Sequence, residues 1–434
     1  MRILTFGWEF PPYISGGLGT ACFGITKGLT DLGQEVIFVL PRVQGEIKDA
    51  HVKLLSAAHF VQPLGGEQGA IKSAADKLRM KTVDSPLRPY MDEKQYAVWR
   101  ENFAGKGSPT SLLASGMSAD YGADLLQETC RYGRAADKIA QEESFDIIYG
   151  HDWMSVMACV HARRISGKPY VYHAHALEFD RCGEEINQAV YDLEKYGMEV
   201  ADAVIAVSHF TKETIVTRYG LDPDKITVVH NAVSRKQKVK RSACKKKGAG
   251  KIVLFLGRIT FQKGPEYFVE AASLVAQNIS GVRFVMAGAG DMMPAMIEKV
   301  AELRMGRYFH FTGFLRGEDV ERIYNMSDLY VMPSVSEPFG ISPLEAMLCD
   351  VPVIISKQSG VAEILHHALK VDFWNVRELA DKIIALLRHP HLGHEICAGA
   401  RDELKEISWE QAAAKILAVF RQVSINSIIK AELP

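Results

Sequence analysis

Short apolar runs alternate with longer amphipathic segments along most of the chain. The apolar runs favour buried strands, whereas the segments between them have the apolar spacing of helices. In the first half we predict strands at residues 3–7, 35–40, 145–149, 169–175, 203–207 and 226–230. In the second half we predict strands at residues 251–256, 282–287, 309–312, 329–332 and 351–355. Such regular alternation predicts an α/β protein with two Rossmann-like, doubly wound parallel sheets.

The predicted elements divide the chain into domains. We predict a first domain at residues 1–234, a hinge at 235–250 and a second domain at 251–407. The segment 235–247 carries eight lysines or arginines and no acid, which is typical of a solvated linker, with binding to a polyanion as the alternative. In residues 408–434 the apolar spacing predicts a helix that crosses back to the first domain.

Residues 42–127 interrupt the alternation in the first domain. They mix glycine, proline, serine and charged residues with scattered aromatic residues, namely Tyr90, Tyr96, Trp99 and Phe103. We interpret them as an insertion that either lines an acceptor groove or forms a plain surface excursion.

Composition narrows the class of protein. Hydrophobic residues make up 47% of the chain and charged residues 24%, as in soluble globular proteins. The 51 basic residues balance 52 acidic ones, so charge indicates neither a nucleic-acid nor a membrane partner. Seven cysteines without metal-ligand spacing indicate reduced thiols in the cytoplasm. No apolar run reaches the roughly 18 residues of a spanning helix, and residues 1–7 favour a strand over a signal peptide.

The stretch PSVSEPFGISPLEAM at residues 333–347 follows a predicted buried strand and opens a helix. Ser342 is a suitable N-cap, Pro343 fits the first helical position, and Glu345 stands where a capping box requires it. A helix that starts at the carboxyl end of a parallel strand presents free N–H groups to an anion. The sequence therefore predicts a phosphate site here.

Two acids, Glu337 and Glu345, flank this predicted phosphate site. Carboxylates repel phosphate but accept hydrogen bonds from hydroxyl groups, so a sugar or a ribose is their natural target. In the alternative interpretation Glu345 only completes the capping box and Glu337 is a solvated loop acid.

Glycines and cations elsewhere also favour a diphosphate. Gly16 and Gly17 lie in a GGLG turn between a strand and a helix, although this is not the GxGxxG of nicotinamide-binding proteins. Arg258 and Lys263 follow the first strand of the second domain and are suited to neutralise phosphate, unless they form an exposed basic loop. The D-x-D at residues 222–224 has the pattern of a turn. We therefore expect fixed cations and helix dipoles, and no metal, to stabilise the diphosphate.

Titratable residues at predicted strand ends of the first domain are candidates for chemistry. His175 is either a structural residue or a neutral imidazole that contacts a sugar, and His173 faces the same side of the strand. We expect no zinc there, because no third ligand stands at a suitable spacing. Glu9 and Asp152 are acids that would orient an acceptor hydroxyl.

Five motifs in order resemble those of the GT-B retaining glycosyltransferases, in particular the glycogen and starch synthases and their bacterial relatives. They are WEFPP with GGLG, GHDW, HAHALEF, GRITFQKG, and EPFGISPLE with its E-x7-E. The resemblance covers both domains. It implies two facing Rossmann-like domains, a nucleotide-sugar in the cleft and no metal requirement.

The resemblance also implies a role for each site residue. Arg258 and Lys263 would hold the diphosphate, and His175 would contact the transferred sugar near its anomeric carbon. Gly16 and Gly17 would close over the diphosphate, and Glu337 would bind sugar hydroxyls. Glu345 would bind the ribose hydroxyls. The sugar and the phosphate would also meet the backbone amides of Phe339, Gly340 and Ile341.

The expected activity is therefore metal-independent, retaining transfer of a hexose, with glucose favoured, from a UDP- or ADP-sugar to a glycan such as an α-glucan. Two features depart from the glycogen synthases: Ser15 replaces a lysine, and Glu345 stands where a non-acidic residue is common. Alternatives are a transferase for exopolysaccharide or glycolipid, an epimerase of the same architecture, and a non-catalytic glycan- or nucleotide-binding protein.

Overall fold

A computed structural model describes residues 1–11, 16–41, 51–60, 123–234 and 250–432. In chain order its first half forms β1 Arg2–Phe6, α1 Gly17–Asp31, β2 Glu35–Leu40, β3 Lys53–Ser56, α2 Ala123–Glu142, β4 Ile147–His151, α3 Val156–Ser166, β5 Tyr170–Ala174, α4 Glu178–Cys182, α5 Gln188–Val200, β6 Ala203–Ala206, α6 His209–Thr214 and β7 Ile226–Val228. The predicted basic hinge falls almost entirely outside these ranges.

The second half continues with the same alternation. Its elements are β8 Ile252–Leu256, α7 Pro265–Ala276, β9 Arg283–Ala287, α8 Met293–Glu302, β10 Phe309–Gly313, α9 Glu318–Met326, β11 Leu329–Met332, α10 Ser342–Leu348, β12 Val353–Ser356, β13 Leu369–Val371, α11 Val376–Arg388, α12 Pro390–Glu406 and α13 Trp409–Glu432.

The strands form two parallel sheets. The first sheet has the order β3-β2-β1-β4-β5-β6-β7 and the second the order β10-β9-β8-β11-β12-β13. Every pairing in both sheets is parallel. Most of the inner strands are buried on both faces, which explains their nearly continuous apolar sequences. The predicted fold class, two doubly wound α/β units, is confirmed.

Both sheets reverse their strand order at one point. The reversal lies between β1 and β4 in the first sheet and between β8 and β11 in the second. Open α/β sheets bind ligands in the crevice outside the carboxyl ends of the strands at such a point. The loops after these four strands therefore define where a site is expected.

Some predicted elements differ from the structure. Lys53–Ser56, inside the predicted insertion, forms β3 and pairs with β2, so this part belongs to the sheet and is not a surface excursion. The rest of the predicted insertion up to residue 122 is almost wholly outside the described residues. We predict no element for residues 369–406, which form β13, α11 and α12. We predict from the alternation a helix at residues 361–366, but the structure forms a 3-10 turn there, Gly360–Glu363. The predicted turn at residues 222–224 is confirmed, because Asp222 Oδ1 accepts a hydrogen bond from Asp224 N at 2.9 Å.

The C-terminal helix α13 packs on the outer face of the first sheet, against α1. Trp409, Ala413 and Phe420 are buried in the apolar cluster that α1 forms with that sheet. Phe420 also meets the Tyr149 ring edge to face, with centroids 5.0 Å apart. Close approach of the two helices requires small residues on α1, and Gly28 provides one.

The stretch Pro390–Ile429, which includes most of α12 and α13, has the length and composition of a membrane-spanning helix. Within the fold it is divided, because α12 ends at Glu406 and α13 begins at Trp409. Of the most apolar 18 consecutive residues of this stretch, 39% are buried inside the protein. Core helices of globular proteins also have such a composition, so this stretch is weak evidence for a membrane span.

We expect Gly28→Ala to lower the melting temperature by several degrees. A Cβ at Gly28 would lie 2.6 Å from the backbone oxygen of Trp409, so α1 and α13 would have to separate. Overpacking of this kind costs about 1–3 kcal/mol, whereas alanine gains roughly 1 kcal/mol over glycine within a helix. The matched control is Gly306→Ala, because a Cβ at Gly306 would meet no atom of the described residues within 4 Å. Thermal unfolding curves that coincide for Gly28→Ala and the wild type would contradict this packing.

Candidate active site

Asp152 lies at the carboxyl end of the first sheet, directly after β4. It has a φ of 57°, which is unusual for a residue other than glycine and marks local backbone strain. Its Oδ1 accepts hydrogen bonds from the backbone N–H of His175 at 2.6 Å and of Ala176 at 3.3 Å. The Asp152 carboxylate therefore fixes the end of β5, which carries His175. We predict that Asp152 orients an acceptor hydroxyl, but the structure occupies this oxygen with backbone amides.

Glu9, the second acid predicted to orient an acceptor, also binds backbone. Its Oε2 accepts a hydrogen bond from Gly16 N at 3.2 Å, and its side chain is buried. Glu9 thus holds the start of the glycine turn. A Cβ at Gly16 or Gly17 would meet no atom within 4 Å, so close packing among the described residues does not explain these glycines.

Three histidines are buried side by side at the end of this sheet. His151 Nδ1 and His175 Nε2 share a hydrogen bond of 2.8 Å, and His173 Nδ1 is bonded to the Tyr149 hydroxyl. Burial lowers the pKa of all three, that of His175 to about 3, so the imidazoles are neutral at pH 7. A neutral imidazole contributes a hydrogen bond rather than a charge.

Side chains that could act as metal ligands also lie beside His175, although spacing along the sequence gives no third ligand for His173 and His175. Ligand atoms of Cys22, His151 and His175 lie within 4.8 Å of one another. His173, the residue that we pair with His175 from strand periodicity, does not belong to this group. Cys22 is 129 positions before His151 in the sequence, so spacing along the chain gives no sign of the contact.

In the second domain, Lys263 and Glu337 form an ion pair at the carboxyl ends of β8 and β11. Lys263 Nζ bonds Glu337 Oε2, which also accepts a hydrogen bond from Ser334 Oγ at 3.2 Å. The two residues are 74 positions apart, and they meet because β8 and β11 are neighbours in the sheet. Arg258 lies nearby in the same loop and bonds Gln262 Oε1 at 2.9 Å.

Gly340 in the loop after β11 requires glycine. Its φ is 99°, a conformation that residues with a Cβ rarely adopt, and a Cβ there would approach Glu337 Cγ to 3.1 Å. Next to it, Phe339 is buried in the core of the second domain, which anchors the loop. The loop therefore presents its backbone, and Glu337, in a fixed position.

The predicted capping box at α10 is wrong. Ile341 occupies the N-cap position, and no side chain caps the helix. Glu345 instead accepts a hydrogen bond from the Tyr324 hydroxyl at 3.2 Å, and that hydroxyl also lies 3.2 Å from the Ser342 carbonyl oxygen. The hydroxyl of a tyrosine on α9, rather than the Ser342 N–H of a capping box, is thus a donor to Glu345, which the local sequence does not reveal.

The two halves of the chain meet beside Glu337. Ser336 Oγ donates to Asp180 Oδ1 of α4 at 2.5 Å, and Ser208 Oγ donates to the Pro338 carbonyl oxygen at 2.6 Å. A cavity of 30 Å³ borders Glu337 and Lys263. It holds about one water molecule, so a larger ligand must displace the contacts around it.

Several residues at this junction escape sequence reasoning. Glu363 accepts hydrogen bonds from the amides of His209 and Phe210 and from His230 Nε2, at 3.0, 2.8 and 2.7 Å.

Sequence reasoning could have found His151, because it follows the predicted strand at residues 145–149 within the GHDW motif. Glu178 of the HAHALEF motif is structural: it is buried and bonded to Arg181 Nε at 3.0 Å.

Comparison with known proteins identifies relatives for both halves. Residues 236–403 match the family described as glycosyl transferases group 1, and residues 121–237 match glycosyltransferase family 4. An uncharacterized glycosyltransferase of Methanocaldococcus jannaschii is 25% identical over 97% of this chain and 98% of its own length.

Two further relatives have named activities. An alpha-maltose-1-phosphate synthase of Mycolicibacterium smegmatis is 30% identical over 65% of this chain and 80% of its own length. A glycogen synthase of Mycobacterium tuberculosis is 22% identical over 97% of this chain and 94% of its own length. Among solved structures, Anabaena HepE in complex with UDP and glucose superposes with a TM-score of 0.67, at 16% identity, over 97% of this chain and all of that one.

We expect Asp152→Asn to change how stability depends on pH. Burial raises the pKa of Asp152 to about 7, above the roughly 3.9 of an unfolded chain. The folded protein therefore binds this proton more tightly, and the resulting stabilisation is complete below about pH 4 and lost as pH rises through about 7. Asparagine tolerates positive φ and keeps an acceptor oxygen but does not titrate.

Melting temperatures of the variant and the wild type, measured between about pH 4 and 8, test this expectation. The value for Asp152→Asn should rise relative to the wild type as pH increases. Asp192→Asn, which removes an exposed carboxylate of the same domain, is the control variant. A constant difference for Asp152→Asn would show that its carboxyl is not buried as described.

Proposed function

The chain belongs to the glycosyl transferases of group 1, and on that basis we propose that it transfers glucose, or a related hexose, from a UDP- or ADP-sugar to a glycan hydroxyl. The transfer would take place in the cytoplasm, retain the anomeric configuration and require no metal cofactor. The observation that carries this proposal is the Lys263–Glu337 pair, which lies beside the Asp180–Ser336 contact between the two halves of the chain. A cation that would bind a phosphate and a carboxylate that would bind sugar hydroxyls are thus hydrogen-bonded to each other.

The donor diphosphate would bind to Lys263, Arg258 and the glycine turn. Lys263 is now paired with Glu337 and Arg258 with Gln262, so an incoming diphosphate would exchange these partners for a stronger charge-assisted contact. The open space around Gly16 and Gly17 supports close approach of a ligand to their backbone. Fixed cations would then stabilise the charge that develops as the sugar departs.

The transferred sugar would lie between Glu337 and His175. Glu337 would accept hydrogen bonds from sugar hydroxyls, together with the amides of Phe339, Gly340 and Ile341. Among the described residues, His175 Nδ1 is buried without a hydrogen-bond partner, so a sugar hydroxyl would satisfy it. Since burial holds the pKa of His175 near 3, the imidazole would act as a neutral hydrogen-bonding group.

The nucleotide would lie against α10, where Glu345 would accept hydrogen bonds from the ribose. One oxygen of Glu345 is held by the Tyr324 hydroxyl at 3.2 Å, which orients the carboxylate. The UDP and glucose in the HepE complex support a UDP-linked glucose donor.

An α-glucan acceptor is supported by the named activities of two relatives, a glycogen synthase and an alpha-maltose-1-phosphate synthase. Retention is supported by the motifs that resemble retaining GT-B enzymes, with front-face attack assisted by the leaving diphosphate. Nucleotide-sugars that raise the melting temperature, tested next for transfer to maltooligosaccharides, would identify donor and acceptor. Conversion of the donor without any acceptor would indicate an epimerase instead, and donor binding without turnover a non-catalytic protein.

We expect Glu337→Ala to leave the fold intact and to abolish transfer. Loss of one strong hydrogen bond to a transition state costs about 100-fold or more in rate. The measurement is kcat/KM with labelled donor, alongside the melting temperature. The matched control is Glu395→Ala, an exposed glutamate on α12, which should transfer at the wild-type rate. Near-normal turnover by Glu337→Ala would remove this residue from the site.

We expect a chelator to leave the transfer rate undiminished. Lys263 and Arg258 take the place that Mg²⁺ has in many other phosphate sites, so no added divalent cation should be needed. Initial rates are compared in excess EDTA and in excess MgCl₂ or MnCl₂. Activity that vanishes with EDTA and returns with magnesium or manganese would contradict the proposed mechanism.

A further inference from the structure

Cys22, His151 and His175 converge from three separate elements. Cys22 lies on α1, His151 ends β4, and His175 follows β5. One ligand atom of each lies within 4.8 Å of those of the other two. The fold holds all three positions: His175 N donates to Asp152 Oδ1 at 2.6 Å, and Cys22 and His151 are fully buried. This geometry is set by the fold and does not depend on a mobile surface side chain.

The chemistry of the three side chains suits a thiophilic metal. A cysteine sulfur and histidine nitrogens are the preferred ligands of Zn²⁺, which binds them at about 2.3 and 2.0–2.1 Å in a tetrahedral arrangement. Burial lowers the pKa of both histidines, and the neutral imidazole is the form that binds metal. The nitrogens that would bind the metal are His151 Nδ1 and His175 Nε2, which lie 2.8 Å from each other.

The surrounding charges also favour a cation. The groups that act electrostatically on Cys22 are two buried carboxylates, Asp152 and Glu9. With burial, they raise the pKa of the thiol, because they oppose a further negative charge beside them. A divalent cation reverses this balance, since it neutralises the thiolate and is attracted by both acids.

We propose that Cys22, His151 and His175 form a binding site for Zn²⁺ or a similar thiophilic cation, and that its occupation inhibits sugar transfer. On binding, the Cys22 thiol releases its proton to solvent and the thiolate sulfur bonds the metal. The His151–His175 hydrogen bond is replaced by two nitrogen–metal bonds. With three protein ligands, the fourth position remains for water. Inhibition rests on the proposed function, because a metal on His175 Nε2 would place a positive charge and a bound water beside the imidazole that contacts the sugar through Nδ1.

Cobalt is the probe that tests the binding site directly. Co²⁺ replaces Zn²⁺ at such sites and gives absorption bands that report a thiolate ligand and tetrahedral geometry. Metal-free full-length protein is titrated with Co²⁺ and then with Zn²⁺, and bound metal is counted after dialysis. We expect one equivalent of cobalt with a thiolate band that Zn²⁺ abolishes. The absence of this band in the wild type would overturn the proposal, whatever the behaviour of any variant.

Variants assign the band to these residues. Cys22→Ser should lose the thiolate band and weaken Zn²⁺ binding by more than the 10–100-fold typical of outer-shell changes. Cys159→Ser changes another buried cysteine of the same domain and should keep both the band and the stoichiometry. Zn²⁺ should raise the melting temperature of Cys159→Ser but not of Cys22→Ser. A band that survives in Cys22→Ser would place the metal elsewhere and overturn the assignment.

Transfer assays separate the two parts of the proposal. We expect Zn²⁺ to inhibit the wild type with the same midpoint as binding, and EDTA to restore the rate. Binding without inhibition would overturn the inhibitory role, while the metal site itself and the proposed transfer activity would stand. Inhibition that is equal in the wild type and Cys22→Ser would overturn the link between this site and activity.

Discussion

The reversal of strand order in two parallel sheets is the constraint on which the rest of this structure depends. At β1 and β4, and again at β8 and β11, helices connect in opposite directions and leave a crevice beyond the strand ends. Backbone groups at these ends lack strand partners, so polar residues gather there. Glu9, Asp152, Lys263 and Glu337 all occupy loops that follow these strands.

Burial explains why the polar groups of this crevice bind one another. A buried charge without a partner costs several kcal/mol, so each acid finds a donor. Glu337 pairs with Lys263, Asp152 accepts hydrogen bonds from the backbone amides after β5, and Glu9 accepts one from Gly16 N. These contacts hold the loops in place while no ligand is bound. A ligand must then offer equal or better partners, which favours one rich in phosphate oxygens and hydroxyls.

The same burial keeps the histidine cluster neutral and so separates two kinds of chemistry. The second domain offers charge, through Lys263 and Arg258, whereas the first offers uncharged nitrogen and sulfur atoms from His151, His175 and Cys22. Phosphate oxygens would bind to the cations of the second domain. Sugar hydroxyls or a thiophilic metal would bind to the nitrogen and sulfur atoms of the first domain. The contact between Ser336 and Asp180 joins the two groups across the cleft.

Local sequence patterns predict the fold class, nearly every strand, and the positions of Lys263 and Glu337 in loops that follow strands of the second domain. These follow from local hydrophobic periodicity and from the rule that parallel strands end at one edge, which require no knowledge of distant contacts. Local patterns were insufficient for β3, a four-residue edge strand, and for β13, which has only three residues.

The partner of each polar side chain depends on contacts that the folded chain creates. Glu345 accepts a hydrogen bond from the Tyr324 hydroxyl instead of from the start of its own helix. Glu9 and Asp152 accept hydrogen bonds from backbone amides, and Cys22 lies beside His151 and His175. These contacts join residues far apart in the chain, or depend on which of several nearby donors lies closest. Sequence spacing carries no information on either, because the packing of α1 and α9 against their sheets sets those distances.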